Sequence, residues 1–265
     1  MFCWYGEETI KEMKLSQVHK ITLSALLLVL TIILTRITPL QDFPVIPWIR
    51  ISLGPSLIIF SSLLLGPLYG AIVGAGSDIL GIVLFPNKLG YGINPLFTLV
   101  YGLLGVLPWI LLYLVKRIKN EEILRFLFII ISILIGIAIE LFIFFVPQIQ
   151  SGYDFKAGIK IAIIIVSSIL MIVDIILIHL FNMFFRKKYG QVFSPFKIAF
   201  VCLISELVLM LFLNSLVKTI TFEVNYWIIF FAQLLVFFID VPLNTFVCEF
   251  LILLVARIKG QSLVE

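Results

Sequence analysis

The sequence predicts an all-α integral membrane protein, a polytopic bundle of helices, and three observations support this fold class. Hydrophobic residues make up 62% of the 265 residues, only 13% are charged, and the mean hydropathy is +1.20. A soluble domain does not need so much apolar surface. The apolar stretches reach the roughly 20 residues that a membrane-spanning α-helix requires. They lack the roughly 10-residue alternating pattern of barrel strands, and backbone hydrogen bonding in lipid then leaves a helical bundle.

Eight stretches are candidate membrane spans, and a short leader precedes them. The leader, residues 1–20, is charged, and no small-residue cleavage site follows it, so we expect it to be cytoplasmic and uncleaved. Gly66 and Pro67 predict a tight turn between the second and third spans. Pro242 is a candidate kink in the long last span. The spans are 21–37, 51–65, 67–85, 96–116, 123–146, 158–185, 197–217 and 226–256.

The distribution of basic residues predicts that both chain ends are cytoplasmic. With this orientation the clusters VKRIKN, FRKKYG and ARIKG all lie inside, as the positive-inside rule requires. Of the 19 Lys and Arg residues, the external segments carry only Arg36, Arg50, Lys88, Lys156, Lys160 and Lys218.

Two of the predicted external loops are rich in turn-forming and aromatic residues. They are TPLQDFPVIPWIR at 38–50 and FPNKLGYGINP at 85–95. Two interpretations are open. The loops are either interfacial connectors anchored by Trp48 and Tyr91, or lids over an external binding site.

The third span contains an unusual stretch, GPLYGAIVGAGSDILG, at residues 66–81. Gly66, Gly70 and Gly74 are four residues apart, so they form a stripe that lets another helix approach closely. Asp78 continues this spacing and is expected to face the bundle in its outer half. An intramembrane carboxylate suggests a functional site, and the alternative is an acid that locks helices together by hydrogen bonds.

Other polar residues are expected in the same outer half of the bundle. Glu206 and Asn214 are eight residues apart, hence roughly on one helix face. An outward-facing pocket with an acid, amides, a cation and aromatic rings would suit a planar heteroaromatic ligand. For Asp174, Asp240 and Glu249 we expect helix pairing, with proton carriage as the alternative. The candidate ligand-binding residues are Arg50, Asp78, Tyr91, Asn94, Phe97, Thr98, Tyr101, Glu206 and Asn214.

The sequence lacks the motifs that are typical of several functional classes. The sequence has no GxxxxGK[ST] loop, so any ATP-driven transport would need a partner that hydrolyses ATP. His19 and His179 are far apart, the three cysteines form no CxxC pair, and no Ser/His arrangement is visible. We therefore expect no metal site, no cofactor and no enzymatic activity.

Two blocks of sequence resemble the substrate-binding S components of energy-coupling factor (ECF) vitamin transporters, most closely the folate type. The first block runs from IRISLGPSLIIFSSLLLGPLYGAIVGAGSDILGIVLFP to INPLFTLVYGLLGVLPWIL. The second contains SELVLMLFLNSLV and FFIDVPLNTFVCEFLILL. Together they cover about residues 20–117 and 198–257. The positions that match the family pattern are Arg50, Ser52, Gly66, Pro67, Gly70, Gly74, Asp78, Phe97, Thr98, Gly102, Gly105, Glu206 and Asn214.

The resemblance implies a protein of the cell membrane that captures a vitamin from outside the cell. Because the sequence is most similar to the folate type, the implied vitamin is folate. Its implied partners are a transmembrane coupling subunit and two ATPases, and the chain would tip over in the bilayer to release the vitamin. Asp78, Glu206 or Asn214 would pair with the pterin edge, Phe97 and Tyr91 would pack on rings, and Arg50 would meet the glutamate carboxylate. Ser24 and Ala25 stand where the family docks on the coupling subunit.

The family usually has six spans, so we expect residues 118–190 to be an inserted helix pair. Residues 21–117 would then form the first four core helices and residues 191–265 the last two. Two alternatives remain open at this point. The chain could be an S component for another vitamin or metabolite, or a proton-coupled secondary carrier.

Overall fold

The computed structural model of the chain describes residues 16–36, 52–85, 92–118, 120–145, 157–189 and 195–258. Within these ranges all regular secondary structure is helical, as the composition predicted. The α-helices are α1 (Gln17–Arg36), α2 (Gly54–Leu65), α3 (Pro67–Leu84), α4 (Pro95–Leu104), α5 (Leu107–Val115), α6 (Glu121–Phe145), α7 (Ala157–Tyr189), α8 (Pro195–Ser205), α9 (Asn214–Phe222) and α10 (Tyr226–Ile258). A π-helical stretch, Glu206–Leu213, joins α8 to α9.

The chain is a polytopic helical membrane protein. Six described segments are long and apolar enough to cross a bilayer: Gln17–Arg36, Pro67–Leu84, Pro95–Val115, Ile164–Phe181, Phe196–Phe222 and Val236–Val255. Helix α6 has 25 residues. Helix α2 has only 12, which at about 1.5 Å per residue is shorter than the hydrocarbon core. All eight predicted spans are therefore helical, and the second is short, as predicted.

The boundaries of two predicted spans differ from the structure. The fourth is divided into α4 and α5 at Gly105 and Val106, and the hydroxyl of Ser62 accepts a hydrogen bond from the Trp109 N–H at 3.2 Å near the start of α5. The seventh contains the π-helical stretch and continues to Phe222. Hydropathy alone does not report such changes, because the residues on both sides are apolar. Helix α10 continues through Pro242.

Helices α1 to α4 pack around the glycine stripe of α3. Gly66 has a φ of 97°, a left-handed conformation that suits glycine, and it forms the predicted turn between α2 and α3. Side chains at Gly70 or Gly74 would collide with the backbone carbonyls of Gly105 and Tyr101. The stripe therefore allows the backbones of α3 and α4 to touch, as the spacing predicted. On its other side α3 contacts α1.

The helices of the expected insertion pack beside the later helices of the chain. Helix α6 contacts α7 and α8, and α7 contacts α10. Leu124 and Phe128 of α6 and Ile178 of α7 are fully buried in a cluster with Phe237 and Phe238 of α10. A separate cluster contains buried residues of α1 to α5, α8, the π-helical stretch and α10. The division of the chain at residues 118 and 190 stays a prediction.

Candidate ligand-binding site

Asp78 of α3 is held by groups from two other helices, α1 and α4. It lies on α3, four residues after Gly74, and its side chain is only 5% exposed. The hydroxyl of Thr98, on α4, donates a hydrogen bond to its Oδ2 at 2.7 Å. Nη2 of Arg36, at the end of α1, lies 3.7 Å from its Oδ1. Asp78 thus faces the bundle, as predicted, and each carboxylate oxygen has its own partner.

Arg36 is the functional candidate that sequence reasoning missed. The sequence prediction treats Arg36 only as an external charge and takes Arg50 as the cation of the site, and Arg50 lies outside the described residues. Gly81 leaves room for the guanidinium, because a Cβ there would lie 3.1 Å from Arg36 Nε. Two features of the sequence are consistent with this contact. Arg36 ends a span on the outer side, and Gly81 falls one turn beyond Asp78.

The start of α4 is tied to the end of α9. Asn94 caps α4, since its Oδ1 accepts a hydrogen bond from the Leu96 N–H at 3.0 Å. Its Nδ2 donates to the Thr221 hydroxyl at 2.8 Å. The rings of Phe97 and Phe222 lie 6.2 Å apart at a tilt of 41°. Polar and aromatic groups therefore join these two helices at the end of the bundle that carries Arg36.

Two of the predicted site residues, Asp78 and Thr98, are in direct contact, and three more lie beside Thr98 on α4 or at its start. Tyr101 lies three residues after Thr98, one turn deeper, and its carbonyl faces Gly74. Tyr91, like Arg50, lies outside the described residues. These three neighbours of Thr98 are Asn94, Phe97 and Tyr101.

Glu206 belongs to a different hydrogen-bonded cluster. It begins the π-helical stretch and is 1% exposed. Asn244 of α10 donates from Nδ2 to Glu206 Oε1 at 2.6 Å, and the Ser56 hydroxyl of α2 donates to Asn244 Oδ1. Sequence reasoning assigned no role to Ser56 or Asn244, because residues so far apart in the chain show no common spacing.

Asn214 is buried at the start of α9. The expectation that it shares a face with Glu206 rested on α-helical periodicity, which the π-helical stretch between them interrupts. Among the described hydrogen bonds, neither residue binds Asp78. Their roles as ligand-binding residues stay predictions.

The two residues expected to dock on a partner differ in exposure. The Ser24 side chain is buried and donates a hydrogen bond to the Ile21 carbonyl at 2.8 Å, whereas Ala25 is exposed. Within the described ranges, no group of three or more metal-ligating side chains could hold a metal ion.

Four further acidic residues, Glu140, Asp174, Asp240 and Glu249, lie on the later helices of the chain. Glu140 accepts a hydrogen bond from the Ser168 hydroxyl at 2.5 Å and so joins α6 to α7. Asp174, Asp240 and Glu249 are buried. Both carboxylate oxygens of Asp174 and of Glu249 and one of Asp240 have no hydrogen-bond partner in the described part of the chain.

Comparison with known proteins gives one informative similarity. Over 110 residues the chain is 30% identical to the folate transporter FolT of Clostridium novyi (strain NT). The match covers 42% of this chain and 59% of the relative, so the chain spans about three fifths of that protein's length. No family model matches the chain. No solved structure matches it significantly. Together with the six apolar helices, the similarity to a transporter identifies a multi-pass protein of the cell membrane.

Proposed function

We propose that the chain is the membrane-embedded substrate-binding subunit of an ECF-type importer, and that it captures folate from outside the cell. The observation that carries this proposal is the match to a folate transporter. The cluster around Asp78 supports it, because an intramembrane carboxylate with a hydroxyl, a cation and aromatic rings nearby suits a polar heteroaromatic ligand.

The chemistry of the pterin ring fits the carboxylate. The ring has two adjacent donors, the 2-amino group and the N3–H, and the two oxygens of Asp78 are acceptors at similar spacing. Each carboxylate oxygen can accept more than one hydrogen bond, so the ring would bind while Thr98 still donates to Oδ2. Phe97 and Tyr91 would pack against the ring faces, and Arg50 would meet the glutamate carboxylates.

Uptake requires partners in this proposal. The sequence has no phosphate-binding loop, so ATP hydrolysis would come from two ATPase subunits acting through a transmembrane coupling subunit. The exposed face of α1 that carries Ala25 is the surface on which we place the coupling subunit. The chain would bind no cofactor itself and would not act as an enzyme.

A binding titration tests the proposal. Purified protein in nanodiscs would be titrated with folic acid and 5-formyltetrahydrofolate, with quenching of its four tryptophans as the readout. Riboflavin, thiamine and pantothenate serve as controls. Saturable binding of the folates alone supports the proposal. Binding of another vitamin keeps the S-component function and rejects folate, and no binding by folded protein rejects both.

A second candidate, a proton-coupled secondary carrier, is favoured by a separate observation. Asp174 is completely buried, and neither of its oxygens has a hydrogen-bond partner in the described part of the chain. Buried carboxyl groups of this kind occur in proton relays of transporters. Folate uptake by proteoliposomes that contain this chain alone, driven by an imposed proton gradient, would establish this candidate. Uptake that occurs only with ATPases and ATP would reject it.

A further inference from the structure

We propose that Arg36 makes the site selective for pteridines that carry an oxygen at ring position 4. This inference rests on the proposed folate-binding function and adds a specificity-determining residue to it. Its basis is the position of the Arg36 guanidinium directly beside the carboxylate of Asp78, 3.7 Å from Oδ1.

The two side chains present a pattern of hydrogen-bonding groups. Asp78 offers two acceptor oxygens, and Arg36, next to one of them, offers only donors. The edge of a 2-amino-4-oxopteridine has the complementary order, with donors at the 2-amino group and N3–H and an acceptor at O4. A ring whose two donors face Asp78 therefore turns its O4 toward the side of the carboxylate on which Arg36 lies.

The structure fixes both members of this pair. Thr98 holds Oδ2 of Asp78 at 2.7 Å, which sets the rotation of the carboxylate. Gly81 lies under the guanidinium, and the absence of a side chain there lets Arg36 reach Asp78 from the adjacent helix. The ion-pair distance of 3.7 Å is longer than the roughly 2.7–2.9 Å of a charge-assisted hydrogen bond.

In a 4-aminopteridine, two of the three groups on this edge exchange donor and acceptor character. Its N3 is an acceptor and faces the carboxylate, and its 4-amino group is a donor and faces the guanidinium. A site built to hydrogen-bond one group rejects an analogue that leaves its polar groups unpaired. A 4-aminopteridine protonated at N1 can still bind Asp78 through N1–H and the 2-amino group, but this edge does not use Arg36.

The test compares folic acid with aminopterin, its analogue with an amino group at position 4, by tryptophan quenching. We expect the wild-type chain to bind folic acid at least about tenfold more tightly than aminopterin. Arg36→Gln should weaken folic acid binding by about tenfold or more and aminopterin binding by less than about threefold. The control Arg117→Gln removes a cation that lies over the Tyr113 ring, and it should change neither affinity.

A second variant, Gly81→Ala, tests the role of Arg36 independently if Arg36→Gln does not fold. Gly81→Ala keeps all charges but places a methyl group 3.1 Å from Arg36 Nε, so it should displace the guanidinium and reduce the preference for folic acid. If the wild type binds folic acid but shows no preference, or if both variants keep the preference, the role of Arg36 is rejected and the proposed function stands. If the folded wild type binds no folic acid, the proposed function is rejected and this inference with it.

Discussion

At the scale of single residues, Asp78 shows how a carboxylate is accommodated inside an apolar bundle. Its two oxygens meet a hydroxyl and a guanidinium from two different helices. These contacts compensate for the loss of hydration, which is costly for an unpaired ion. They also join α1, α3 and α4, so a helix-locking role and a ligand-binding role predict the same contacts. Only a binding measurement separates the two roles.

Substitution of Asp78 distinguishes the ligand-binding role from the helix-locking role. Asp78→Ala removes both acceptor oxygens, and we expect folic acid affinity to fall by about 100-fold or more, since hydrogen bonds to charged groups contribute about 1.5–3 kcal/mol each. Tryptophan quenching gives the affinity, and size-exclusion chromatography with thermal unfolding shows whether the variant is folded. A folded Asp78→Ala protein with unchanged affinity would eliminate this site and leave Asp78 a structural role.

At the scale of helices, the contact between α3 and α4 decides the geometry of the site. The two helices touch through Gly70 and Gly105 and through Gly74 and Tyr101. This approach brings Thr98 within hydrogen-bonding distance of Asp78. The glycines are thus required by packing, and the position of the site's polar groups depends on them.

A pair of glycine-to-alanine variants tests this dependence. Gly74→Ala would place a methyl group against the Tyr101 carbonyl, so we expect a loss of about 1–3 kcal/mol in stability and weaker folic acid binding. Gly102→Ala is the matched control on α4, because its Cβ would lie 3.7 Å from the Cβ of Ala75, an ordinary contact. Thermal unfolding in detergent measures both. Equal unfolding temperatures for the two variants would contradict the close-packing argument.

The Ser56–Asn244–Glu206 cluster joins α2, the π-helical stretch and α10. Asn244→Leu would leave the buried Glu206 without the donor that now lies 2.6 Å away. Leaving a buried polar group unsatisfied costs about 1–3 kcal/mol, so the unfolding temperature should fall. The control Ser61→Ala removes a buried hydroxyl that donates to the Ile58 carbonyl of its own helix, and its effect should be smaller. A larger effect of Ser61→Ala would show that the cluster is not a stabilising contact.

At the scale of the whole molecule, the polar groups of the candidate site lie at one end of the bundle. Arg36, the start of α4 and the end of α9 carry the Asp78 cluster and its aromatic neighbours at one end of the bundle. The distribution of Lys and Arg predicts that this end is external. In that orientation the candidate site faces the side from which the proposed function requires capture of a vitamin.

Cysteine labelling tests this orientation. Cys202 and Cys248 are fully buried, so a chain carrying Cys3→Ser provides a background of low reactivity. In intact cells, a membrane-impermeant maleimide should label Val224→Cys, which lies between α9 and α10. It should label Glu122→Cys, near the start of α6, only after permeabilisation. The reverse pattern would invert the topology and place the Asp78 cluster inside.

The sequence predicted the helices and the inward position of Asp78 because both depend on local properties. Apolar length decides which segments can span a bilayer, and the four-residue spacing of glycines decides which face of α3 packs closely. Asn94, Phe97, Thr98 and Tyr101 could be placed together for a similar reason, since they lie close in sequence on one helix or at its start; their ligand-binding roles stay predictions. The break between α4 and α5 and the π-helical stretch were missed, because the apolar pattern continues through them.

By itself, then, the sequence determined that this protein is a multi-pass helical membrane protein with a carboxylate facing its interior. Only the tertiary structure decided which groups surround each acid. It paired Asp78 with Arg36, 42 positions earlier in the chain, and it placed Glu206 with Asn244 and Ser56. The physical reason is that such contacts depend on how helices distant in sequence pack together. Helix packing is set by the summed shape of many apolar side chains, which no local spacing records.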